Sequence, residues 1–121
     1  KIASMGASIG GDGAPDGCLW HNENFGMGCL GALSLSPGSY LTLPYADVVE
    51  KLGNEMPPKP VWCFFAAEDT VSKDACQSAS GDHYRMVEWS GSRWHGMELI
   101  DPALDPNSLL LVLYWLATLG L

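Results

Sequence analysis

Residues 5–17, MGASIGGDGAPDG, set five glycines and two aspartates around one serine, Ser8. Four kinds of loop compete for such a stretch: a phosphate loop, a calcium loop, a plain surface turn, and the sharp strand-to-helix turn that carries a nucleophile. A phosphate loop needs G-x-x-x-x-G-K-[ST], and no lysine follows here. A calcium loop needs acidic residues at alternate positions and a distal glutamate. Asp12 and Asp16 are four apart with Pro15 between them, which is the wrong register, and they read better as turn caps. Gly6-Ala7-Ser8-Ile9-Gly10 does fit G-x-S-x-G after the short apolar lead KIASM. Small neighbours two residues away let the serine sit on a strained turn with its hydroxyl outward. The amide of the next residue, Ile9, then points where an oxyanion would form. By itself the pattern also suits a surface turn. Gly10, Gly11, Gly13, Pro15 and Gly17 are poor helix-interior residues, so the helix behind Ser8 is expected to be short or irregular.

The rest of the chain supplies the frame. Short apolar strands are expected at KIASM, at 31–36 (GALSLS, stopped by Pro37-Gly38), at 60–67 (PVWCFFAA) and at 84–89 (YRMVEW). The unbroken apolar third strand points to a sheet covered on both faces. Helical patterns lie between them. Pro44 suits the first turn of a helix that stops at Gly53, and 71–79 ends before Gly81. Asp105 is a candidate N-cap, with Pro106 as first residue of a last helix. Leu109, Leu110, Val112, Leu113, Leu116 and Leu119 give that helix a wide apolar face. Strand–helix alternation predicts a mainly parallel sheet of about four strands with right-handed crossovers, in one α/β domain spanning 1–121. Ligands in such sheets bind at the carboxyl ends of the strands.

A serine nucleophile needs a base and an orienting acid. Of three histidines, only His95, in SGSRWHGM after the fourth strand, falls at the carboxyl end where Ser8 sits. His21 and His83 read as ordinary side chains. Glu68-Asp69 follows the third strand at the same end; Asp69 is the preferred orienter and Glu68 the second choice, against the plainer reading of a helix N-cap. Ser8, Asp69 and His95 thus follow three different strands at one end of one sheet. Trp20, Tyr40, Trp94 and Met97 are candidates to line an apolar substrate site, or else ordinary core and cover.

Bulk properties exclude other classes. Six basic residues against 14 acidic ones give a net charge of −8 with no basic stripe, which argues against nucleic acid and anionic membrane surfaces. The apolar run at 109–113 is too short for a transmembrane span. The chain opens at Lys1, so its natural beginning is expected to lie upstream. Four cysteines allow two disulfides in three pairings, Cys18–Cys29 with Cys63–Cys76 being the local one. Cys63 reads equally well as a small buried hydrophobe. Disulfides would mean an oxidising, secreted or extracytoplasmic setting. A zinc site from Cys18, His21 and Cys29 lacks a full ligand set, and no metal or cofactor is expected.

These motifs, in order, resemble the C-terminal part of an α/β-hydrolase of the dienelactone-hydrolase-like or esterase-like kind. GASIGG resembles the nucleophile elbow, LSLSPGSYL the next strand and turn, PVWCFFAAEDTVS the acid-bearing strand, HGM the histidine loop and LLVLYWL the closing helix. The resemblance covers nearly the whole chain. It implies Ser8 as nucleophile, His95 as general base and then acid, and Asp69 as its orienter; no buried binding site for a long chain is evident in the sequence, so a small, short-chain carboxylic ester is the expected substrate. The family has about four more strands before the elbow, one of whose loops supplies a second oxyanion donor. Without them the first strand becomes a sheet edge open to pairing, which predicts a homodimer or a separate N-terminal half. The competing expectation is a non-catalytic module that binds a partner through that edge.

Overall fold

The run Val61–Ala66 (VWCFFA) is buried at all six positions, as a strand must be when helices cover both sides of its sheet. The computed structural model describes every residue from Lys1 to Leu121. Its strands are β1 (Ile2–Ala7), β2 (Cys29–Leu35), β3 (Val61–Ala66) and β4 (Tyr84–Trp89). Its helices are α1 (Ile9–Phe25), α2 (Tyr45–Gly53), α3 (Thr70–Ser78) and α4 (Ser108–Thr118), with a 3₁₀ turn at Gly96–Leu99. The sheet runs β1-β2-β3-β4 with every pair parallel, so β1 is an edge strand.

Side-chain alternation along β3 divides the core. Val61, Cys63 and Phe65 face a layer made by Ala14, Cys18 and Leu19 of α1, Tyr45, Val48, Val49 and Leu52 of α2, and Cys76 of α3. Trp62, Phe64 and Ala66 face the opposite layer, with Leu33, Leu35, Trp89, Leu99, and Val112 and Trp115 of α4. Two disulfides lie in the first layer. Cys18–Cys29 joins α1 to β2 and Cys63–Cys76 joins β3 to α3. Loops closed over separations of 11 and 13 residues each stabilise by roughly 3 kcal/mol in the chain-entropy account. The first bridge removes Cys18 and Cys29 as zinc ligands, which overturns the weak metal reading of that trio.

The structure corrects the sequence reading in three places. α1 is a continuous 17-residue helix through Gly10, Gly11, Gly13, Pro15 and Gly17, not a broken one. Its inward stripe (Gly11, Ala14, Pro15, Cys18, Asn22) is small, so the helix lies close on the sheet. A Cβ at Gly11 would stand 2.8 Å from the Leu35 carbonyl oxygen. Asn22 exchanges two 2.9 Å hydrogen bonds with the Cys29 backbone, which with the disulfide anchors the far end. Tertiary packing thus outweighs weak local propensity. Second, Asn107 rather than Asp105 caps α4, its Oδ1 accepting from the Leu110 N–H at 3.2 Å. Pro106 stays outside the helix, where its carbonyl accepts from Trp89 Nε1–H at 2.9 Å. Pro44 likewise precedes α2 as its N-cap. Third, α4 turns Val112 and Trp115 inward and leaves Leu109, Leu110 and Leu113 exposed. A helix that is apolar all round gives no periodicity to orient it.

Tyr45 and Tyr84 pack edge to face in the first layer, with Tyr45 donating to Ser34 Oγ at 2.9 Å and Tyr84 to the Cys76 carbonyl at 2.6 Å. Burial pushes both phenols well above their usual value, and for Tyr84 the Tyr45 neighbour adds to it. A raised folded-state value means that this stability is complete below the unfolded value of about 10 and is lost as pH rises past it. The urea midpoint is therefore expected to fall between about pH 9 and about pH 11, with a shallower fall in the Tyr45→Phe/Tyr84→Phe variant. An equally steep fall in that variant would place the alkaline sensitivity elsewhere.

Candidate active site

Ser8 sits between the last residue of β1 and the first of α1. Its backbone has φ 57° and ψ −123°, a region that non-glycine residues rarely enter and that costs of order 1–3 kcal/mol. Three contacts fix it there. The Ser8 N–H donates to the Leu35 carbonyl at 2.8 Å, and the Ser8 carbonyl accepts from the Gly11 N–H at 2.8 Å. Gly6 supplies the third, since a Cβ there would stand 2.0 Å from the Gly10 carbonyl oxygen. The second glycine of the pattern differs: a Cβ at Gly10 would meet nothing within 4 Å. The pattern's demand for a small residue is steric at Gly6 and, one residue later than expected, at Gly11.

Asp69 follows β3 and His95 follows β4. The Asp69 side chain serves two partners: Oδ1 accepts from the Ser72 N–H at 3.4 Å as the N-cap of α3, and Oδ2 lies 2.6 Å from His95 Nδ1. The N-cap and the His-orienting readings of Asp69 therefore describe the same carboxylate. An ionised carboxylate only accepts, so Nδ1 carries the proton and Nε2 is left as an acceptor. Nε2 lies 2.9 Å from Ser8 Oγ. The chain of hydrogen bonds Asp69–His95–Ser8 thus joins groups 87 and 26 residues apart in sequence. The Ile9 N–H is the first of α1, one of the four amides at a helix start with no intrahelical acceptor.

The loop that carries His95 is held from several sides. The Glu68 N–H donates to the Ser92 carbonyl at 2.9 Å, and the His95 N–H to Glu98 Oε1 at 3.1 Å. The Gly96 N–H donates to buried Ser36 Oγ at 2.9 Å. Across the site, buried Asp12 of α1 accepts from the Gly38 and Ser39 N–H groups at 3.1 and 2.7 Å, clamping the β2–α2 loop. Sequence reasoning missed Ser36 and Glu98, and saw in Asp12 only a turn cap. The one signal for Ser36 was a serine at a strand end just before Pro37-Gly38.

The four candidate lining residues divide. Trp94 and Met97 flank His95, and both are exposed. Tyr40 is exposed on the β2–α2 loop, its ring packed over Gly38. Trp20 is not at this end: it lies about three turns along α1, edge to face with Phe25 and beside a cavity of about 370 Å³ that Leu19, Leu41 and Leu43 also line. Ser8, Asp69 and His95 line none of the four cavities; Ser8 and His95 are half-buried. His21 packs at a tilt against Phe25, and His83 Nε2 lies 2.7 Å from the Val49 carbonyl, leaving His95 as the histidine beside Ser8.

Comparison of the chain with family models, curated proteins and solved structures finds no match in any of the three.

Two glycine substitutions separate the turn's steric demand from its sequence pattern. Gly6→Ala is expected to destabilise by about 1–3 kcal/mol or more, because the clash is with backbone. Gly10→Ala is expected to be neutral or to stabilise by up to about 1 kcal/mol, because it adds helix propensity in open space. Urea unfolding of both variants checks this; equal destabilisation would contradict it.

Proposed function

We propose that the chain is a serine hydrolase of the α/β-hydrolase type that cleaves small carboxylic esters. The observation that carries this reading is the hydrogen-bonded series from Asp69 Oδ2 through His95 to Ser8 Oγ, ending on a serine in strained backbone. In the proposed reaction Ser8 Oγ attacks the ester carbonyl carbon while its proton passes to His95 Nε2. Asp69 steadies the imidazolium that forms. The carbonyl oxygen becomes an oxyanion next to the Ile9 N–H and the positive end of α1. Collapse breaks the C–O bond to the alcohol, which leaves with the His95 proton. Water then gives a proton to His95 and attacks the acyl-serine, releasing the acid and restoring Ser8. Ile9 is the oxyanion donor assigned to this chain.

The two disulfides fit an extracytoplasmic setting, and no helix is long and apolar enough to cross a membrane. Hydrolysis of p-nitrophenyl acetate tests the reaction. Ser8→Ala and His95→Ala are each expected to lower kcat/KM by at least about 10³-fold, and Asp69→Asn by about 10²–10⁴-fold. Equal rates for the native chain and Ser8→Ala would overturn the reading.

A second reading, a binding module, is favoured by two observations. β1 is an edge with Ile2 and Met5 exposed, and α4 shows Leu109, Leu110, Leu113 and Tyr114 to solvent. The occupant proposed for that edge is a second copy, pairing β1 with β1. Light scattering at micromolar concentration is expected to give twice the chain mass; a monomer counts against the pairing.

A further inference from the structure

The end of β2 touches both halves of the reacting pair. The Leu35 carbonyl holds the Ser8 N–H at 2.8 Å. The next residue, Ser36, holds the Gly96 N–H through its own hydroxyl at 2.9 Å, across 60 residues of sequence, and Gly96 directly follows His95. We propose that Ser36 is a positioning residue, which sets the His95 imidazole against Ser8 by anchoring the amide next to it. The inference rests on the hydrolase reading for its kinetic consequence, though not for the anchor itself.

Three observations carry it. First, Ser36 has φ 52°, in the left-handed region that glycine occupies without strain and serine does not. A turn that needed only this backbone shape would be better served by glycine. Second, Ser36 is fully buried, and its Oγ accepts the Gly96 N–H as a side-chain-to-backbone bond inside the protein. Third, Asp69 Oδ2 holds the imidazole itself, whereas the Ser36 bond holds the backbone amide next to it. Glu98 is three residues on in the same loop, and the Ser92 carbonyl is three residues back. Ser36 ties the residue adjacent to His95 to the strand that also carries the Ser8 anchor. The Ser36 N–H in turn donates to the Phe64 carbonyl at 2.9 Å, so the anchor is continuous with the sheet ladder. The left-handed turn at Gly96, φ 62°, brings the loop back over Ala7, where a Cβ would stand 3.5 Å from the Ala7 Cβ. The backbone on both sides of the Ser8–His95 pair is thus tied to Leu35, the last residue of β2, and to Ser36 directly after it, while Asp69 holds the imidazole.

Ser36→Gly tests this, because it relieves the backbone strain and deletes the acceptor. A purely structural role predicts a variant as active as the native chain. The positioning role predicts a variant that still folds, with kcat on p-nitrophenyl acetate lowered by about 10- to 100-fold and KM within about twofold. It also predicts faster hydrogen exchange at the Gly96 amide and a broadened His95 Nδ1–H resonance. Native kcat with unchanged Gly96 exchange in Ser36→Gly would overturn the proposal. If the native chain does not hydrolyse the ester, the hydrolase reading fails, and the exchange and resonance data still decide the anchor. If Ser36→Gly does not fold, exchange in the native chain decides. Protection of Gly96 like that of the β2–β3 ladder supports the anchor, and exchange as fast as an exposed loop overturns it.

Discussion

Holding Ser8 at φ 57° and ψ −123° is the constraint on which the rest of the site depends. The conformation is costly for a serine, so the surroundings must over-determine it. They do so from two strands and a helix. Gly6 lets the Gly10 carbonyl come close, and Gly11 lets α1 settle against Leu35 and Pro37. The Leu35 carbonyl then takes the Ser8 N–H. Each contact is short and made to backbone, which cannot move aside as a flexible side chain can. The two disulfides and the Asn22 clamp act further away, but to the same end: they fix α1 and α3, whose first turns adjoin Ser8 and Asp69.

Placing Ser8, Asp69 and His95 together follows from topology. Parallel strands joined by crossovers put the residues after β1, β3 and β4 at one end of the sheet. Side chains distant in sequence can then meet without a long loop to carry them. The final alignment is made by polar contacts to backbone amides: Asp12 to Gly38 and Ser39, Ser36 to Gly96, Glu98 to His95. The Ser36 contact is buried, the Asp12 contacts are partly buried and the Glu98 contact is exposed.

Strand–helix alternation and the unbroken run at 61–66 were enough to read a parallel α/β sheet, because apolar pattern and strand length are local properties. The positions of Ser8, Asp69 and His95 at strand ends were legible for the same reason. α1 was not, since its glycines and Pro15 lower helix propensity while their small size allows close packing on a sheet the sequence does not display. The inward face of α4 was illegible too, because Leu109 through Leu113 offers no polar residue to mark the outer side. Trp20 was grouped with the site by residue type, and its place three turns along α1 depended on that helix being continuous. Ser36 was hidden because its partner is 60 residues away and is a backbone amide that carries no sequence signature.

The central claim is that His95, aligned by Asp69, makes Ser8 a nucleophile. Mass spectrometry of the folded protein after exposure to a fluorophosphonate addresses that claim directly. The account predicts a single covalent adduct on the peptide that contains Ser8, lost when His95 is replaced by alanine. No adduct, or one that forms equally well without His95, would contradict it.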